Sequence, residues 1–168
     1  VYVAAPDMSS EKCLTSFESG YPSNLQWAPD SKTLYFNTDA RELYSLNADS
    51  GKLDCILKSD RGRISSFTLS TDGSWAAYST ELANKISAIF LYEVKTGKSW
   101  QVTDRWYDAS SPVFSSDGKY LFFTSRVDFT PSYSQVEWNA SMNVSSRMYL
   151  VPLAADTANP MALKSDEA

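Results

Sequence analysis

Three times along this chain, an apolar run passes through a short aspartate-bearing turn into a second apolar run. Leu25-Gln26-Trp27-Ala28 leads through Pro29-Asp30-Ser31-Lys32 into Thr33-Leu34-Tyr35-Phe36. Phe67-Thr68-Leu69 leads through Ser70-Thr71-Asp72-Gly73-Ser74 into Trp75-Ala76-Ala77-Tyr78. Val113-Phe114 leads through Ser116-Asp117-Gly118-Lys119 into Tyr120-Leu121-Phe122-Phe123. An Asp-Gly pair between apolar runs is a strong hairpin signal, because glycine accepts the positive φ of a tight turn. The aspartate in such a turn bonds its own backbone, so Asp30, Asp72 and Asp117 read as structural. The interval between repeats is about 42–45 residues, the period of an array of supersecondary units.

Each unit divides further into four short strands. In the first full repeat, 21–60, strands are expected at 24–28, 33–37, 42–46 and 53–58. In the second, 61–104, they are expected at 64–69, 74–79, 88–94 and 99–103. The third, 105–168, has strands at 112–115, 120–125, 147–153 and 161–164, with a long insert at 127–146. Residues 1–20 read as the second half of a preceding unit, with strands at 1–5 and 13–17. Four strands per repeat at this period is the pattern of a β-propeller blade, and no stretch of helical periodicity competes with it. The expected fold is all-β, a single partial β-propeller of about 3.5 four-stranded antiparallel blades. Propellers close with 4–8 blades as a rule. A part-ring leaves strand edges and blade faces open, which invites a homodimer. The apolar strand at the very start suggests that the chain was cut from something longer.

Composition narrows the function. The chain has 168 residues, 43% hydrophobic and 14% aromatic, with a net charge of −5. Its charge is scattered, without the basic patch that nucleic acid requires, and no apolar run reaches the ~20 residues of a membrane-spanning helix. There is no histidine, so a Ser-His-Asp or Cys-His device cannot be assembled from this chain. Phosphate loops, nucleophile elbows and EF-hand loops are also missing. Nothing in the sequence requires a cofactor or a metal. Cys13 and Cys55 are separated by the same interval as Asp30 and Asp72. Equivalent positions on stacked units lie too far apart for a disulfide, and both thiols are expected to be small buried groups. Trp27, Trp75 and the Phe122-Phe123 pair are expected in the core between blades. Trp100 and Trp106 lie near blade edges without an assigned role.

The Asp-Ser-Lys and Asp-Gly-Lys turns, with the pairs Leu43-Tyr44 and Leu91-Tyr92 ahead of Ser50-Gly51-Lys52 and Thr96-Gly97-Lys98, resemble the repeats of TolB-like and tricorn-type propellers. The segment Ser125-Arg126-Val127-Asp128-Phe129-Thr130-Pro131-Ser132-Tyr133 with Val136-Glu137-Trp138-Asn139 is more specific. Together with Arg147-Met148-Tyr149-Leu150 and Asp156-Thr157-Ala158-Asn159-Pro160, it is similar to the tricorn protease family. That family usually shows phenylalanine where Trp138 stands. The resemblance implies the C-terminal part of the larger, seven-bladed propeller of a serine peptidase. It would be a non-catalytic portion that guides or filters peptide or unfolded substrate and scaffolds the catalytic domains. Its partners would be that substrate, the remaining blades and the catalytic domains of the parent. The family implies the cytoplasm, or the periplasm if the parent carries a signal peptide. The alternative is a TolB-like propeller that binds a protein in the bacterial cell envelope. A propeller of the dipeptidyl-peptidase type fits the insert less well.

The insert 127–146 is the candidate functional feature, since long excursions from compact blades often carry binding. Phe129, Tyr133 and Trp138 are candidates to stack on a peptide, and Arg126 and Arg147 to hold a carboxylate. The plainer expectation is that these aromatics cap the blade or pack on a neighbouring domain.

Overall fold

The computed structural model describes residues 1–17, 20–127, 130–133, 140–144 and 146–162. Two four-stranded antiparallel sheets form its centre. The first contains β3 (Pro22–Trp27), β4 (Thr33–Thr38), β5 (Glu42–Asn47) and β6 (Leu53–Lys58), hydrogen-bonded in that order. The second repeats the meander with β7 (Ile64–Leu69), β8 (Trp75–Glu81), β9 (Ser87–Glu93) and β10 (Lys98–Gln101). Before them stands the hairpin β1 (Tyr2–Ala4) and β2 (Glu11–Cys13). After them β11 (Ala109–Phe114), β12 (Tyr120–Ser125) and β15 (Arg147–Pro152) form a three-stranded sheet. Between β12 and β15 the chain makes a separate hairpin of β13 (Thr130–Tyr133) and β14 (Ala140–Val144). The molecule is an all-β propeller fragment.

The sheets stack through their central strands, which are apolar on both faces because neighbours cover both. Leu34 and Phe36 of β4 pack with Leu46, Val1, Leu14 and Phe17 on the side of the first hairpin. Tyr35, between them in sequence, points the other way into a second cluster with Leu43, Ile64, Phe67, Tyr78 and Phe90. In β8 the alternation repeats. Ala76 and Tyr78 face that second cluster, while Ala77 joins Ile89, Ala109, Leu121 and Phe123 in a third. Each central strand thus serves two interfaces, one per face, as the two-residue side-chain period of a strand requires. Stacked ring pairs reinforce the clusters: Tyr78 lies 5.4 Å from Phe90, and Phe36 lies 5.6 Å from Tyr44.

The first strand of each of the three larger sheets carries a bulge. Pairing shifts between Ser23 and Gln26 in β3, between Ile64 and Ser66 in β7, and between Ser110 and Val113 in β11. Asn24 and Ser111 take up positive φ there, at 52° and 54°. A bulge leaves one residue outside the ladder and bends the strand. Here side chains recover the bonding: Asn24 donates to Asn37 Oδ1 at 3.0 Å, and the Ser65 and Ser66 hydroxyls each lie 2.7 Å from that of Ser79.

Several expectations need correction. Cys13 and Cys55 are free thiols, as spacing suggests, but both are exposed. They sit on β2 and β6, the outermost strands of their sheets, where the next sheet no longer covers the face. Trp27 is half exposed, because it ends β3, an edge strand. Trp75 is partly buried and rests against Trp100, ring to ring at 5.7 Å. The expected strand at 13–17 is displaced to β2, since Ala5 and Ser10 already close the hairpin by a 3.0 Å backbone bond. A strand at 161–164 is not found for its described part: the Ala162 amide turns back to Asn159 at 3.1 Å, and 163–164 lie outside the described residues. The third sheet therefore shows three strands among the described residues.

Candidate functional site

Antiparallel strands send alternate connections to opposite ends of the sheets. One end carries the aspartate turns at 28–32, 70–74 and 115–119. There the carboxylates bond to their own loops. The Lys32 and Thr33 amides both donate to Asp30 Oδ1 at 2.8 Å. Asp72 accepts the Ser70 hydroxyl at 2.6 Å, the Ser74 hydroxyl at 2.7 Å and the Ser74 amide at 3.0 Å. These bonds to the ionised form, led by that from Ser70, hold the Asp72 carboxyl down to about 2. Asp117 accepts the Ser115 hydroxyl and the Lys119 amide, and its pKa is lowered for the same reason. These groups act as turn locks.

The opposite end carries the long connections, including the insert. Pairing of Ser125 with Arg147 brings the two roots of the insert together, so Arg147 lies opposite Ser125 and Arg126 follows Ser125 at the end of the third sheet. Both arginines are exposed. The Arg126 amide donates to the Asp108 carbonyl at 3.2 Å, tying the root to the preceding connection. A polar recess of 330 Å³ opens here, lined by Arg126, Asp108 and the hydroxyl-bearing residues Ser87, Ser110, Thr124 and Ser146. Tyr133 is the last residue of β13 and pairs with Ala140 of β14. Phe129 and Trp138 lie outside the described residues. Of the five residues singled out in the sequence, the structure thus places Arg126 and Arg147 at the two roots of the insert and the backbone of Tyr133 in the hairpin.

A second feature of this end was not foreseen. Two adjoining grooves, of 690 and 360 Å³, share Asn84 and Arg105. Trp106, 79% exposed, borders the larger, and Arg61 the smaller. The one available signal was the run Arg105-Trp106-Tyr107 inside a connection, where a core has no use for such side chains. Among the described residues no group of three His, Cys, Asp or Glu side chains is placed to hold a metal ion.

On the first sheet Glu42 accepts from the Lys58 ammonium at 2.8 Å and the Tyr44 hydroxyl at 2.7 Å. The bond from its hydroxyl to Glu42 raises the Tyr44 phenol to about 12. Cys55 pairs opposite Tyr44 and, though the residue is exposed overall, partial loss of water around its sulfur pushes the thiol up. A thiol so shifted is a poor nucleophile, so this cluster offers no catalytic device.

Comparison with known proteins gives these features a family context. A family model described as the tricorn protease second β-propeller domain matches residues 1–168. The chain is 29% identical over 157 residues to tricorn protease homolog 1 of Streptomyces coelicolor, covering 93% of this chain and 14% of that protein. A crystal structure of the tricorn protease superposes with a TM-score of 0.74 at 26% identity, over 86% of this chain and 15% of the other. TolB from Acinetobacter baumannii superposes with a TM-score of 0.61 at 18% identity, over 84% of this chain and 36% of TolB. The likeness to TolB is one of fold alone.

Proposed function

Because the chain belongs to the family of the second β-propeller domain of tricorn protease, we propose that it is the non-catalytic part of a tricorn-like serine peptidase that guides peptide substrate. The family match along the whole chain carries this reading. The absence of histidine supports it, since peptide hydrolysis by a serine triad needs a base that this sequence does not contain. In this reading the nucleophile and base belong to other domains of the parent protein. Residues 1–20 are part of a blade, 21–60 and 61–104 are whole blades, and 105–168 is a blade carrying the insert. The remaining blades and the catalytic domains are the partners of its open faces.

Guidance of an unfolded chain requires weak, repeated contacts rather than a deep pocket. The insert supplies them in this proposal: Arg126 and Arg147 hold carboxylates, and Phe129, Tyr133 and Trp138 stack on side chains. The test is direct. The chain is mixed with a fluorescent, permanently unfolded polypeptide, and anisotropy and cleavage are followed together. Saturable binding without cleavage is expected. Cleavage would overturn the non-catalytic assignment, and lack of binding would overturn the guiding role.

A further inference from the structure

Every arginine of the chain lies at one end of the sheets. Arg41 is in the turn between β4 and β5. Arg61 and Arg63 are between β6 and β7, and Arg105 is between β10 and β11. Arg126 and Arg147 root the insert. The turns at the other end use lysine instead, at Lys32, Lys52, Lys95, Lys98 and Lys119. The two cations are not interchangeable. Guanidinium is planar and weakly hydrated, and grips a carboxylate with two parallel bonds, whereas ammonium stays solvated. Among the described residues Lys58 and Lys85 also lie at the arginine end, each paired with a carboxylate, Glu42 and Glu81, so the guanidiniums are the cations there best suited to carboxylate recognition.

Several of the described acidic groups at the arginine end bond within the chain. Asp39 accepts the Tyr21 amide at 2.8 Å, Asp104 the Trp106 amide at 3.0 Å, and Asp108 the Ser87 amide at 2.9 Å. Glu81 pairs with Lys85 at 2.7 Å. Arg105, by contrast, has no carboxylate within ion-pair distance among the described residues. Its backbone is nevertheless fixed, because Asn84 donates to its carbonyl at 2.9 Å. Arg61 is also held in place. Its carbonyl accepts from Arg41, its guanidinium lies 5.7 Å from the Phe90 ring centroid, and its one acidic neighbour, Asp60, is 3.7 Å away and 90% exposed. The Arg61 guanidinium, held over Phe90, and Arg105, fixed at its backbone, therefore border adjoining grooves, and Trp106 stands open beside them. Tryptophan and arginine are the side chains most enriched at binding hot spots.

We infer that this groove pair, centred on Arg61, Arg105 and Trp106, is a docking site for an extended acidic peptide segment, with carboxylate side chains on the arginines and an apolar one on Trp106. The inference rests on the proposed reading of the chain as a peptide-handling propeller and names the chemistry it selects. It places selection at the connections of the second sheet, apart from the insert.

The probe is a short fluorescein-labelled peptide alternating Glu with Leu, set against the same labelled peptide with Gln or Lys in place of Glu. Anisotropy is expected to show binding of the Glu peptide alone, weakened as salt shortens the screening length from about 10 Å to about 3 Å. R61Q and R105Q are each expected to weaken it about tenfold, the scale of one charge-assisted contact, and W106A similarly. R105K should recover only part of the loss, since it restores charge without the fork. K32Q and K119Q at the opposite end should change nothing, and circular dichroism should show every variant folded. If the Gln peptide binds as well as the Glu peptide and the rim variants are silent, this inference fails while peptide handling stands. If none of the peptides binds, both fail. Dimerisation that R105Q abolishes, with no peptide bound, would assign the groove to a second copy and overturn the inference.

Discussion

The side-chain amide of Asn37, fully buried in β4, donates to the backbone carbonyl of Ile64 in the next sheet at 2.8 Å. Its oxygen accepts from Asn24 at the bulge of β3. One side chain thus joins two sheets and satisfies a bulged strand. Asn37→Leu keeps the volume but strands a buried carbonyl and the Asn24 amide. It should destabilise the chain by about 1–3 kcal/mol, the cost of a buried polar group left unpaired, read by urea unfolding. Asn37→Asp should be worse at neutral pH, because a buried charge would face a carbonyl oxygen.

Asp72 gives a pH dependence of known sign. Its folded pKa is depressed to about 2, against an ordinary carboxyl near ~3.9. Its contribution is therefore complete above the unfolded value and is lost as pH falls from there through about 2. Asp72→Asn should flatten stability over that window and leave the rest of the profile unchanged. Since the carboxylate is solvent-accessible, the effect is a slope change in acid unfolding rather than a collapse. Ser70→Ala should raise the Asp72 pKa in a carboxyl NMR titration.

Tyr44 titrates in the opposite sense. Its phenol, raised to about 12 by the bond to Glu42, keeps its proton in the folded state after an unfolded tyrosine has lost its own near ~10. Its contribution is present below the unfolded value and lost as pH rises through about 12. Glu42→Gln should bring one phenolate step back toward the ordinary range. Ultraviolet titration detects that step, and Tyr44→Phe identifies it by removing it.

The outer face of the third sheet predicts self-association. Val113 pairs opposite Phe122, which pairs opposite Leu150, so the three share the face turned away from the third core cluster. Val113 is 54% and Met148 71% exposed. Apolar side chains on an uncovered sheet face drive pairing. Light scattering should show dimers that dissociate on dilution, and Val113→Lys with Met148→Lys should yield a monomer without loss of β-structure. A concentration-independent monomer before substitution would refute the prediction.

How far the fold was legible followed from which forces act locally. The boundaries of β6, β7 and β12 coincide with the expected ones because turn residues and side-chain alternation fix them within a few neighbours. The turn roles of Asp30, Asp72 and Asp117 were readable for the same reason. Burial was not local. Trp27 and the two cysteines follow the apolar pattern of their strands, yet lie on edge strands where the adjacent sheet ends. A pattern of period two assigns a face without saying whether anything covers it. The β13–β14 hairpin escaped notice because Thr130-Pro131-Ser132-Tyr133 lacks clean alternation, and proline argues against a central strand. The candidate site was legible in part. Arg126 and Arg147 share one end of the third sheet because their strands pair, but the grooves around Arg105 arise from connections that touch only after the sheets stack.

The two-faced central strands have a consequence for how the chain comes apart. Leu34 and Tyr35, or Ala76 and Ala77, are neighbours in sequence that report to different interfaces. Each sheet is held by the one before and the one after, as in a linear array of nearest-neighbour couplings. In such an array the outer members loosen first, and protection from hydrogen exchange rises toward the middle. Amides of β8 should then exchange most slowly and those of β1 and β2 fastest, a gradient along the stack rather than from surface to centre. Closing the stack into a circle would give every sheet two neighbours and erase that gradient.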